Sequence, residues 1–198
     1  MIRSAGSVGV GAVLAGPSAV SSLIRGAGIA LGGSVLVAVC AHVAIPLWFT
    51  PVPLTLQPFA VLLLGFVLGP RLAAGAMLAY LAEGAIGLPV LTPHGPGGVA
   101  QLLGPTGGYL LSYPLVAPLV SLLWRRGKRS FSGGLAIAGA GSLVTLALGA
   151  FWLGVLTHAA PISVLNLAVL PFLPGDALKV VAAAGLGVGF QRWRRLSN

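Results

Sequence analysis

The chain has 198 residues, of which 57 % are hydrophobic and only 7 % charged, and its mean hydropathy is +1.03. Soluble domains carry about 25 % charged residues, so this composition excludes a soluble globular protein and points to an integral membrane protein of one domain. The net charge of +9 would suggest nucleic acid in a soluble chain, but here the cations sit in short clusters between apolar runs, where they act as topology signals facing anionic lipid.

Residues 1–25 hold Arg3 and Arg25 around a Gly/Ser-rich, weakly apolar stretch. A basic start before a short apolar region resembles a signal peptide, yet no firm cleavage site follows. The segment reads as a cytoplasmic or interfacial lead-in to a membrane domain at 26–198. Gly26 to Leu47 is the first span, long enough for a bilayer core at 1.5 Å per residue. Trp48 and Phe49 follow as interfacial aromatics, and Thr50–Gln57 (TPVPLTLQ) is too proline-rich for a helix. Pro58–Leu68 is a short second span, Gly69-Pro70-Arg71 a tight basic turn, and Leu72–Ile86 the third span. Two short spans joined by a tight turn predict a compact bundle with a cavity at the far end. Gly87–Gly108 is crowded with Gly and Pro. Irregular backbone at membrane depth is tolerated only against protein or a water-filled cavity, so this loop is expected to fold back and line something. Tyr109–Trp124 is the fourth span, Gly133–Leu156 the fifth and Asp176–Phe190 the sixth, with a mixed segment at 157–173 before the last.

Six spans place Arg3, Arg25, Arg71, Arg125, Arg126, Lys128, Arg129, Arg192, Arg194 and Arg195 on one side. By the positive-inside rule both termini are then cytoplasmic. The opposite loops, 48–57, 87–108 and 157–173, contain no Lys or Arg and are the irregular ones. An elaborate outer face over plain basic inner turns suggests a ligand captured from outside.

The only acidic residues are Glu83 and Asp176, and the one cation away from a span edge is Lys179. A helix starting at Pro174-Gly175 puts Asp176 and Lys179 on one face at i, i+3. An ionisable pair inside a membrane segment is costly and marks a functional site, or else pins a helix end. Cys40 lies in an apolar run and allows no internal disulfide. His42, His94 and His158 lack metal-ligand spacing, so no metal or other cofactor is expected. Gly104–Tyr109 (GPTGGY) reads equally as an anion cradle and as a tight turn into span four. No Walker loop, GxGxxG or nucleophile–base pair occurs, so no catalytic residues are assigned.

Taken together, VPLTLQ in the first outer loop, GLPV and GPTGGYL in the second, and PFLPGDALK at the last span resemble the BioY family, the biotin-binding S components of energy-coupling factor (ECF) transporters. The resemblance covers about residues 26–190. Leu91 departs from it, standing where an aromatic is expected after GLPV, and His94 also lies outside the pattern. The resemblance implies an all-α, six-transmembrane-helix bundle in a prokaryotic cell membrane, with biotin held near the outer face. It also implies a membrane scaffold subunit carrying two cytoplasmic ATPases as partners. Biotin has a carboxylate and a ureido ring with two N–H donors and one carbonyl, each needing a partner in a dry pocket. Lys179 and Asp176 suit these groups, with Gln57, Thr106 and Tyr109 for further hydrogen bonds and Gly107 and Gly108 for close backbone approach. Ala30 and Ser34 stand in the place of an Ala-x-x-x-Ala scaffold-docking pattern, although internal packing explains them equally. The competing readings are an S component for another vitamin, an intramembrane lipid-modifying enzyme and a purely structural subunit. Topology gives the first test: reporter fusions at Arg126 and at Gly97 should report opposite compartments, and the same compartment for both would contradict six spans.

Overall fold

The computed structural model describes residues 17–197. Residues 1–16, most of the expected lead-in segment, lie outside the described residues. Within them the chain forms α1 (Pro17–His42), α2 (Gln57–Val67), α3 (Pro70–Ala85), α4 (Gly98–Leu102), α5 (Gly107–Arg126), α6 (Phe131–Thr157), α7 (Pro161–Ala168) and α8 (Leu173–Leu196). Four of these, α1, α5, α6 and α8, are long and apolar enough to cross a membrane. The helices α2 and α3, with 11 and 16 residues, are shorter, reaching about 16 and 24 Å at the helical rise.

Several boundaries differ from the sequence reading, each for a local reason. Helix α1 starts at Pro17, so it runs unbroken through the expected boundary at residue 25. It stops at His42, earlier than Leu47, because the chain turns extended. Ala44–Ile45 (β1) pairs antiparallel with Leu54–Thr55 (β2), and the Leu56 N–H donates to the Val43 carbonyl at 3.1 Å. Pro46 favours this extended approach in the residue before it. The expected loop at 50–57 is thus one arm of a small hairpin, a minor exception to an all-α fold. Helix α8 runs past Phe190 to Leu196, since arginine is a good helix former and cations favour the last turn. Proline occupies the first turn of α2, α3, α7 and α8, where its missing N–H costs nothing. His158 ends α6 in the left-handed region, at φ 52°.

Helix α2 is the centre of the bundle, packed on α5 and α8, while α3 lies between α1 and α5, and α6 bridges α5 and α8. One apolar core gathers Val37, Leu62, Met77, Tyr80, Tyr113 and Val120 between these helices. A second, smaller core of Val52, Tyr109, Leu146, Leu153, Val164, Ala168 and Phe172 sits under the hairpin and α7. Cys40 is buried in the first. Small residues set the closest approaches, as is common between membrane helices. A Cβ on Gly65 would stand 2.7 Å from Val120 Cγ1, and one on Gly108 would stand 2.3 Å from Trp152 Cβ and 2.5 Å from the Leu148 carbonyl oxygen.

Gly108 therefore lets α5 meet α6. Neither it nor Gly107 has positive φ; the positive-φ glycines of the second outer loop are Gly87, Gly97 and Gly98. Gly108→Ala should destabilise the bundle by about 1–3 kcal/mol through overpacking, read as a lower melting temperature in detergent without ligand. An unchanged melting temperature would contradict this contact.

Candidate ligand site

Asp176 lies in the first turn of α8, where the helix N-terminus favours an anion. One turn on, Lys179 Nζ donates to Asp176 Oδ1 at 2.8 Å. The other carboxylate oxygen, Oδ2, accepts from Ser142 Oγ of α6 at 3.0 Å. Both charged side chains are at least nine-tenths buried. The two ions neutralise one another, and the serine occupies the second oxygen, so the cost of burying charge is met within one turn of helix and one neighbour. Removing either ion would leave the other buried and uncompensated, which costs about 3–5 kcal/mol in buried pairs.

The pair forms one wall of a cavity enclosing about 480 Å³ free of protein atoms, counting the part open to solvent. Val52, Pro53 and Thr55 come from the hairpin, Gln57 and Pro58 from the start of α2, and Thr92 and Thr106 from the second loop. Tyr109, Leu110 and Tyr113 of α5, Thr145 and Leu146 of α6, and Phe172 complete it. The cavity thus lies where α2 begins, away from the Gly69 turn, as two short spans joined by a tight turn predict. Polar side chains are numerous in this lining, yet most of the surface they and their neighbours present to the cavity is apolar, the usual make-up of a small-molecule site.

The structure brings together Asp176, Lys179, Gln57, Thr106 and Tyr109. Gln57 is 3 % exposed; its Nε2 donates to Tyr80 Oη at 2.5 Å and its Oε1 accepts from Thr55 Oγ1 at 3.1 Å. Tyr109 offers its ring, but its hydroxyl donates to the Ala168 carbonyl at 2.6 Å. Gly107 and Gly108 do not line the cavity; they serve the α5–α6 contact. The turn before them is a packed turn, with the Gly104 carbonyl accepting from Trp152 Nε1 at 2.9 Å and from the Gly107 N–H at 2.9 Å. Leu91, the departure after GLPV, is buried beside Gly84 in the main core and not at the cavity wall. Ser34 is fully buried and donates to Glu83 of α3, and Ala30 faces Gly75 of the same helix. Ser34 therefore serves internal packing, while Ala30 packs against the core and remains partly exposed. The exposed side of α1 carries Leu31, Val35 and Val39.

Sequence reasoning missed Ser142, Thr145, Tyr113 and Thr92. The first two lie three apart on one face of α6, and that spacing of hydroxyls on an apolar helix was the available signal. Thr92 is held by Gln101, whose Nε2 donates to its Oγ1 at 2.5 Å and to its carbonyl at 3.3 Å. Because the Tyr109 hydroxyl is committed to Ala168, Tyr109→Phe should cost roughly 1–3 kcal/mol for the abandoned carbonyl. It should leave ligand affinity within a fewfold of wild type in a binding titration, whereas a tenfold loss would show that the hydroxyl meets the ligand.

The BioY family sequence profile matches residues 13–196. The biotin transporter BioY of Thermotoga maritima is 40 % identical over 149 residues, covering 75 % of this chain and 85 % of the relative. The biotin transporter BioY of Rhodobacter capsulatus is 39 % identical over 164 residues, covering 77 % and 85 %. Among solved structures, the S-component for biotin from an ECF-type ABC transporter superposes with a TM-score of 0.79 at 27 % identity, covering 87 % of this chain and 93 % of that one. With a family profile spanning nearly its whole length and relatives of this identity, the chain belongs to the BioY family.

Proposed function

We propose that this chain captures biotin in the cavity walled by Asp176 and Lys179 and delivers it to an ATP-driven importer of the ECF type. The observation that carries the reading is a buried ion pair facing a cavity under irregular loops, in a chain whose relatives are named biotin transporters. Those names also weigh against a lipid-modifying enzyme. The chain itself would hydrolyse no ATP; a membrane scaffold subunit with two cytoplasmic ATPases would supply that step, docking on the exposed side of α1.

In this reading the six longer helices all span the cell membrane of a prokaryote, with both termini cytoplasmic. The short α2 and α3 would be completed by hairpin and loop backbone buried in protein, which a bilayer tolerates. Positive charge at Arg71, at 125–129 and at 192–195 supports that orientation.

Charge balance favours one pose. Asp176 and Lys179 are the only charged residues of the lining, and they already sum to zero. A ligand carboxylate buried beside them would add an uncompensated negative charge, which is costly. A ureido ring is neutral and complementary: its N–H groups donate to Asp176 and its carbonyl accepts from Lys179. We place the ureido end on the pair and the carboxylate at the mouth, near the Thr92 and Thr106 hydroxyls. The thiophane ring and valeryl chain then lie against Val52, Leu146 and Phe172.

A mutant cycle tests this. Asp176→Asn and Lys179→Met should each weaken biotin by the worth of a charged hydrogen bond, about 1.5–3 kcal/mol or roughly ten- to over a hundredfold. In this pose Lys179→Met should weaken biotin and its neutral amide equally; a smaller loss for the amide would move the carboxylate to Lys179. Calorimetric titration and melting of both single variants and the double variant separate ligand contact from helix pinning. Recovery of biotin binding in Asp176→Asn/Lys179→Met would overturn the proposal.

A further inference from the structure

At the end of the bundle opposite the cavity lies a second recess, enclosing about 1110 Å³ when the part open to solvent is counted. The C-terminal ends of α2, α5 and α8 and the Gly69 turn form it. Its charged lining is entirely positive: Arg125, Arg129, Arg194 and Arg195. No side-chain carboxylate of this chain can neutralise them. The only two are Glu83 and Asp176, and these are bonded to Ser34 and to Ser142 and Lys179. The deeper walls are apolar and aromatic, with Phe66, Trp124 and Phe190. Gln191 also lines the recess, and its Oε1 is buried without a hydrogen-bond partner among the described residues. A buried orphan acceptor is costly, so it marks a place where a donor belongs.

An occupant must therefore bring negative charge, a hydrogen-bond donor and an apolar body at once. We propose that this recess binds an anionic phospholipid whose headgroup carries a hydroxyl, with the phosphate on the arginines and the hydroxyl on Gln191. A phosphate suits the planar guanidinium fork. A hydroxyl both donates and accepts, so it serves the Gln191 amide in either orientation. The acyl chains follow the aromatic walls onto the lipid-facing helices, where Trp193 stands 62 % exposed as an interfacial anchor. Basic pockets between membrane helices are known to select anionic headgroups. A lipid is favoured over an acidic protein segment as occupant because the lining continues into apolar surface at Trp193 and Leu196.

The test uses the full chain in neutral detergent, with native mass spectrometry and melting as readouts. The probes are phosphatidylglycerol, phosphatidylethanol (equal charge, no headgroup hydroxyl), phosphatidylcholine and inorganic phosphate. Phosphatidylglycerol should bind and raise the melting temperature most, with phosphatidylethanol weaker and the other two without effect. Arg125→Gln/Arg195→Gln should weaken phosphatidylglycerol roughly thirtyfold, from two surface cations lost, while biotin affinity stays unchanged. Gln191→Leu should erase the preference over phosphatidylethanol and keep the charge-dependent binding. Equal binding of phosphatidylcholine, or stabilisation by inorganic phosphate alone, would overturn the proposal. So would arginine variants that bind the lipid normally but fail to hold the partner subunits, which would assign the recess to a protein interface. Because biotin binding is read separately, failure here leaves the transport reading standing.

Discussion

The arrangement depends on one ion pair held in apolar surroundings. Asp176 and Lys179 bring opposite charges into the body of the bundle, and each is tolerable there only because the other stands 2.8 Å away. Ser142 adds a hydrogen bond from α6, so the pair also fixes the register of α6 against α8. Pro174 in the first turn starts α8 just ahead of the pair, which sets Asp176 against the positive end of the helix dipole. In a chain with only two acidic residues, one of them stands in this pair at a cavity wall.

The two ends of the bundle are built differently around that constraint. At the cavity end the backbone is irregular but not loose. Thr50 Oγ1 donates to the Leu167 carbonyl at 2.8 Å, Tyr109 to Ala168 at 2.6 Å, and Gln101 bonds both Thr92 and the Gly97 N–H. These bonds tie the hairpin to the α7 segment, close the second loop on itself and anchor α5 to α7. Polar backbone far from regular helix is thereby satisfied inside protein, the condition for placing it at membrane depth. At the other end the turns are short, α5 and α8 run into cationic last turns, and Ser121 donates to the Leu68 carbonyl to close α5 on the Gly69 turn.

Much of this was legible from residue type. Two acids and one interior lysine were enough to find the ion pair, since burying charge in such a composition demands a reason. The loops rich in Gly and Pro marked the cavity end, and the arginine clusters marked the other. Helix limits were less legible, because proline and a β-hairpin decide them: Val43–Ile45 looks like more apolar helix until its pairing with Leu54–Thr55 is known. The roles of Gly107, Gly108 and Ser34 could not be told from residue type, for a common reason. Small residues suit a ligand, a partner or a neighbouring helix equally, and only the positions of Trp152 and Glu83 choose between them. Ser142 and Thr145 escaped notice because a hydroxyl on an apolar helix usually bonds its own backbone, as Thr145 does to Gly141 at 3.2 Å. The Gln57–Tyr80 bond joins two helices in a way that no local pattern announces.

The central claim is that a ligand inserts its hydrogen-bonding ring at the Asp176–Lys179 pair. A structure of the full chain with biotin bound tests this most directly. The account predicts the ureido nitrogens within hydrogen-bond reach of the Asp176 carboxylate, the ureido oxygen on Lys179 Nζ, and the carboxylate directed to the mouth beside Thr92 and Thr106. Biotin found elsewhere, with the ion pair and its Ser142 bond undisturbed and out of contact, would contradict it.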